Sequence, residues 1–175
     1  MRIAILSDTH DHIANLRAAV TYCNAYNVAM MVHCGDLISP FMLDELARFG
    51  GAVHLIYGNN VGDQHLISQQ CGTRFPTISH HGAFGAVEAG GRRLAFVHYP
   101  ELARGLASRG GFDVVCCGHN HRYQVEKIGE TVLVNPGELL GKDGRPGFCV
   151  LDCTSMNVER VEVGVPIVTD SLEKC

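Results

Sequence analysis

Arg2-Ile3-Ala4-Ile5-Leu6-Ser7-Asp8-Thr9-His10 is the stretch that decides how the chain is read. Its apolar part is too short for a helix and predicts a buried strand. The strand runs straight into Asp-x-His, a carboxylate and an imidazole two residues apart. The same grammar recurs four times further on. Val28 to His33 predicts a strand that runs into Gly35-Asp36, and Val53 to Tyr57 one that runs into Gly58-Asn59-Asn60. The strand from Arg92 ends at His98, and the strand from Asp113 to Cys117 runs into Gly118-His119-Asn120-His121. In open α/β sheets ligands bind outside the carboxyl ends of strands, so these groups are expected to converge at one edge.

Between the first strands lie helical patterns. Asp11 is expected to cap a helix whose apolar positions are Ile13, Leu16, Val20 and Cys23. Ser39-Pro40 predicts an N-cap with Pro at N1, and Phe41, Leu43, Leu46 and Ala47 line that helix up to Gly50-Gly51. A short helix is expected over Gln64 to Cys71. The second half changes character. Hairpin turns are expected at Gly90-Gly91, at Gly129-Glu130 and at Thr154 to Asn157, with one helix over Pro100 to Arg109. One α+β domain over residues 1–175 follows, with strands in two layers and helices outside.

Composition narrows the function classes. The chain has 175 residues, 46% of them hydrophobic and 18% charged, which fits one globular domain. A net charge of -4 with scattered basic residues argues against a grip on duplex nucleic acid. The longest stretch without a charged residue, Ala18 to Gly35, contains Thr21, Asn24, Asn27 and His33 and is no membrane span. The apolar run after Arg2 is too short for a signal peptide, so a reducing cytoplasm is expected. The eight cysteines form no C-x-x-C and are read as free thiols, with Cys116-Cys117 in the core and Cys175 terminal.

Asp8, His10, Asp36, Asn59, His98, His119 and His121 offer oxygen and nitrogen donors without thiolate. That mixture suits two divalent transition-metal ions, Mn²⁺ first, with Ni²⁺, Fe or Zn²⁺ as alternatives. In an extended chain side chains i and i+2 point the same way, so Asp8/His10 and His119/His121 are each expected to pinch a metal. Two ions roughly 3.5–4 Å apart would acidify a bridging water and clamp the oxygens of a phosphate ester. Glycines before Asp36, Asn59 and His119 let the backbone come close.

Taken in order, Asp-x-His, Gly-Asp, Gly-Asn, His and Gly-His-x-His resemble the calcineurin-like metallophosphoesterases. Ser7-Asp8-Thr9-His10-Asp11-His12, His33-Cys34-Gly35-Asp36, Gly58-Asn59-Asn60 and Asn135-Pro136-Gly137-Glu138 are similar to the small YfcE-type phosphodiesterases. The resemblance implies a four-layer α/β-β/α fold with two mixed sheets, and dimers or tetramers. It also implies Asp8, His10 and His121 on one ion, Asn59, His98 and His119 on the other, and Asp36 bridging. The activity implied is hydrolysis of small or nucleotide-like phosphodiesters by a hydroxide activated between two metals.

Two positions depart from the family pattern. Many relatives carry His after the Gly-Asn pair, where it protonates the leaving alcohol; here Asn60 stands there and cannot titrate. Help of that kind is worth about 10²–10⁴-fold, so diesters with good leaving groups are expected over alkyl monoesters. The run His98-Tyr99-Pro100 replaces a His-Gly-His, which alters the loop there. His12 is a further candidate, as a donor to phosphate or leaving group. His33, His54, His65, His80 and His81 are read as structural or surface residues. Two other functions compete with this one. A retromer subunit of vesicle sorting shares this fold as a non-catalytic interaction scaffold but lacks part of the ligand set. A nuclease on duplex DNA would need a basic stripe.

Overall fold

The computed structural model of the chain describes residues 1–60 and 62–164. Cys175 and the last part of the expected 1–175 domain lie outside the described residues. The elements are, in order, β1 (Arg2–Leu6), α1 (Ile13–Ala25), β2 (Met30–His33), α2 (Met42–Leu46), β3 (Ala52–Leu55), α3 (Gln64–Gln70), β4 (Ile78–His80), β5 (Phe84–Ala89), β6 (Arg92–Val97), α4 (Pro100–Arg109), β7 (Val114–Cys116), β8 (Tyr123–Ile128), β9 (Thr131–Pro136), β10 (Gly147–Asp152) and β11 (Val158–Glu162).

They build two mixed sheets, one ordered β11-β10-β1-β2-β3-β4 and the other β5-β6-β7-β9-β8. In the first, β1 to β4 run parallel, with Ile3 beside Met30 and Val53 beside Ile78. In the second, β6, β7 and β9 run parallel. The alternation of side chains along β1 shows how the layers stack. Ile3 and Ile5 enter the cluster between the sheets, with Val32, Leu94, Phe96, Cys116 and Leu151. Ala4 and Leu6 turn the other way, against Leu16 and Val20 of α1 and Met42 and Leu43 of α2. Both faces of β1 are covered, which is why its sequence is a continuous apolar run. On the far side, Ala103 and Ala107 of α4 pack on Ala95, Val97 and Val115 of the second sheet. Each large side chain so buried contributes roughly 1.5–3 kcal/mol.

Three local expectations are corrected. His12, not Asp11, caps α1: its Nδ1 accepts from Asn15 N at 3.2 Å. Asp11 instead holds Ser39, accepting from its backbone N at 2.8 Å and its hydroxyl at 2.5 Å. The same contact takes Ser39 away from the N-cap it was expected to fill, and α2 starts only at Met42 with no side-chain cap. β4 carries no apolar alternation and was not foreseen; an edge strand this short needs only one row of ladder bonds, here to β3. Seven cysteines among the described residues are free, and Cys116 and Cys117 are buried. Burial pushes the thiols of Cys23, Cys117 and Cys149 up to about 12. No helix among the described residues is long and apolar enough to cross a membrane.

Candidate metal centre

Because β1, β2 and β3 are parallel, their carboxyl ends lie on one edge of the first sheet, and Asp8, Asp36 and Asn59 follow them. The parallel β6 and β7 deliver His98 and His119 from the second sheet. The two sets meet. Asn59 Oδ1 lies 2.8 Å from His98 Nε2 and 2.7 Å from His119 Nδ1. Asp36 Oδ1 lies 3.6 Å from His98 Nε2, and its Oδ2 lies 3.6 Å from His10 Nε2. Asp8 Oδ1 lies 3.5 Å from His121 Nε2 and 3.8 Å from His10 Nε2. Asp8, Asp36 and His98 form a buried floor, His10 and His121 are half-buried, and Asn59 and His119 form an exposed rim.

The means of convergence differs from the expected extended chain. Asp8, His10, His119 and His121 all have positive φ, so each pair sits on a tight turn. His119 and His121 therefore aim apart, one toward Asn59 and the other toward Asp8 and His10. Glycines supply the closeness. A Cβ on Gly58 would run into Asp36 Oδ1, and one on Gly118 into Ser7 Oγ and Asp8 Oδ2.

The donor set tests whether cations fit. His98 Nδ1 donates to the carbonyl of Cys34 at 2.8 Å, which leaves Nε2 of the neutral ring as a lone pair. That lone pair faces Asn59 Oδ1, another acceptor. Asp8 is fully buried, and its Oδ1 has no hydrogen-bond partner among the described residues. Facing acceptors and an orphaned buried carboxylate oxygen are costly unless positive charge lies among them. Titration points the same way. Burial pushes the Asp8 carboxyl up, but His10, the Ser7 hydroxyl, His98 and the His119 N–H outweigh it and hold it below its ordinary value. His10 is raised, chiefly by Asp8, with Asp36 adding to it against burial. The residues fit divalent ions, and the groups Asp8/His10/His121 and Asp8/Asp36/His98 each keep their donor atoms within 4.8 Å of one another.

The other candidates have definite partners. Asn60 clasps Asp36: its backbone N donates to Oδ1 at 2.9 Å and its amide donates to Oδ2. The cap fixes His12 Nδ1 as an acceptor, so a neutral ring carries its proton on Nε2. Tyr99 stands at the N-cap of α4, with its ring edge-to-face on His119 at 4.8 Å and on His98 at 5.3 Å. Asn135 braces the Gly-His-x-His loop by donating to Gly118 O at 2.9 Å and Asn120 Oδ1 at 3.0 Å. His33 is buried beneath the cluster, against Thr9 and the Gly35 N–H, and His54 pairs with His81. Glu138 and Asp143, which flank His121, had no assigned role in the sequence reading. The only hint was that Glu138 closes the run Asn135-Pro136-Gly137-Glu138, which is similar to the family's.

Comparison with known proteins shows the family and the fold. The family model described as a calcineurin-like phosphoesterase superfamily domain matches residues 1–156. A phosphodiesterase of Methanocaldococcus jannaschii is 32% identical over 87% of this chain and 93% of its own. The solved structure of an archaeal phosphodiesterase superposes with a TM-score of 0.87 at 29% identity, covering 93% of this chain and 100% of that one. Two further structures share the fold at 18% identity and cover 93% of this chain. They are the YfcE phosphoesterase of E. coli (TM-score 0.67, 100% of its chain) and a Vps29 variant of Entamoeba histolytica (TM-score 0.68, 99% of its chain).

Proposed function

The chain belongs to the calcineurin-like phosphoesterase superfamily, and we propose that it hydrolyses small or nucleotide-like phosphodiesters at a site for two divalent ions. The observation that carries this reading is the orphaned oxygen of Asp8, buried where imidazoles and carboxylates from both sheets converge. Asp8, His10 and His121 would hold one ion, Asn59, His98 and His119 the other, with Asp36 between them. Such ions supply a nucleophile at neutral pH and neutralise charge developing on the phosphate. Mn²⁺ is the first choice for these imidazole, carboxylate and amide donors, with Ni²⁺, Fe or Zn²⁺ as alternatives.

The chain's own groups do the rest. Asn60 holds both oxygens of Asp36 in place. His12 offers Nε2–H to a phosphate oxygen. With Asn60 where relatives carry His, no imidazole at that position protonates the departing alcohol, which favours diesters with stable leaving groups. Free thiols throughout the described residues are in keeping with a cytoplasmic setting.

The decisive measurement is turnover of bis-p-nitrophenyl phosphate with Mn²⁺ or Ni²⁺. Wild type is expected to turn over and to stop on chelation. Asp36→Ala is expected to lose about 10²–10³-fold, the scale on which a positioned electrostatic group is felt. No turnover with any divalent ion would instead leave a scaffold of the same fold.

A further inference from the structure

Behind the candidate centre lies a carboxylate pair that the reading above leaves unused. Glu138 follows β9 and is 1% exposed. Its Oε1 accepts from the backbone N of Asp143 at 2.5 Å and of Gly144 at 3.0 Å. Its Oε2 has no hydrogen bond among the described residues, yet it lies 2.9 Å from Nδ1 of His121. Asp143 Oδ2, on a side chain 57% exposed, accepts from the same nitrogen at 3.0 Å. Carboxylates only accept, so the ring nitrogen facing two of them carries the proton. The opposite nitrogen, Nε2, then keeps its lone pair and points it at Asp8 Oδ1. The three side chains share His121 with the centre, so they are no independent cation site.

We propose that Glu138 is a positioning residue: together with Asp143 it locks the proton of His121 on Nδ1 and so turns the Nε2 lone pair into the metal centre. The inference rests on the reading of that centre as a cation site. Glu138 does two things at once. Its Oε1 ties down the backbone of the loop that carries Asp143. That commitment keeps the carboxylate from turning and holds Oε2 against the imidazole. A buried, oriented acceptor of this kind fixes tautomer and ring angle and makes the opposite nitrogen a better ligand.

Glu138→Gln tests it with little change of shape. The two backbone N–H groups keep the amide oxygen on their side, which puts the amide NH₂ against His121 Nδ1. Two donors cannot face each other, so His121 is expected to move its proton to Nε2. ¹⁵N NMR of metal-free protein, above the pH range of imidazole ionisation, is expected to read Nδ1–H for His121 in wild type and Nε2–H in the variant. Titration with Mn²⁺ alone is expected to show one of two affinities weakened by about 10–100-fold. Asp143→Asn, at an exposed position, is expected to shift either affinity by under about fivefold. An Nε2–H tautomer in wild type overturns the proposal without any variant having to fold. So does a folded Glu138→Gln protein with unchanged tautomer and affinities. If wild type takes up no Mn²⁺, the reading of the centre fails, and the tautomer measurement still decides this one.

Discussion

Asp8, His10, Asp36, His119 and His121 have φ of 53°, 44°, 57°, 72° and 59°. That left-handed region costs a residue with a side chain roughly 1–2 kcal/mol. Such strain persists only where surrounding bonds impose it. Asp8 N donates to Gly35 O, Thr9 N and His10 N both donate to Asp36 O, and His119 N donates to Asp8 Oδ2. The turns thus hold one another, and the side chains are aimed before any ligand arrives. Asn60 belongs to this lattice through its grip on Asp36. Asn60→His is expected to raise turnover of alkyl monoesters relative to aryl esters, because it restores a group able to protonate the leaving oxygen. Assays of both ester classes over a pH series check this; an unmoved ratio means that leaving-group protonation is not what position 60 limits. At this scale the donor chemistry was legible, since Asp, Asn and His stand out against apolar runs. The turn geometry was not. Nothing local says that Asp11 will abandon its helix for Ser39, because the contact joins loops distant in sequence and exists only once β1 and β2 pair.

At the scale of elements, strands end where chemistry begins, and small residues decide how close those ends come. Gly58→Ala would drive a methyl group into Asp36. It is expected to weaken Mn²⁺ binding at least about tenfold, read by calorimetry. Gly105, inside α4, has open space where a Cβ would go. Gly105→Ala is therefore expected to stabilise the fold, by about 0.4–1 kcal/mol in urea melts. The contrast separates glycines that serve the site from one that merely weakens a helix. Most elements were readable from period and punctuation, the three hairpins best of all, because their turn residues stand between β-rich runs. β4 escaped because it is short and mixed in polarity, and it is a strand only by virtue of its parallel neighbour β3.

For the whole molecule, acid sensitivity lies in buried imidazoles, His33 the most enclosed of them. His33, at the end of β2, has no exposed surface; its Nε2 lies 2.7 Å from Thr9 Oγ1, and its Nδ1 accepts from Gly35 N at 3.3 Å. Burial lowers it from 6.5 to about 4. Between those values the unfolded chain binds the extra proton and the folded one does not, so stability falls as pH falls through that window. The difference comes to about 2 kcal/mol between pH 7 and pH 5. Urea midpoints of wild type and His33→Asn, both chelated, at the two pH values measure it: the variant is expected to lose about that much of the dependence, while His80, which burial also lowers to about 4, keeps its own share. The face-to-face arrangement of the sheets has a further bearing on persistence. Asp8, Asp36 and Asn59 come from one layer, His98 and His119 from the other. Ions held jointly by both would rivet the seam. A ligand at a hundred times its dissociation constant adds about 2.7 kcal/mol to the state that binds it. Scarcity of the ion would thus do more than silence the chemistry: it would let the halves part more often and expose their apolar linings to proteolysis.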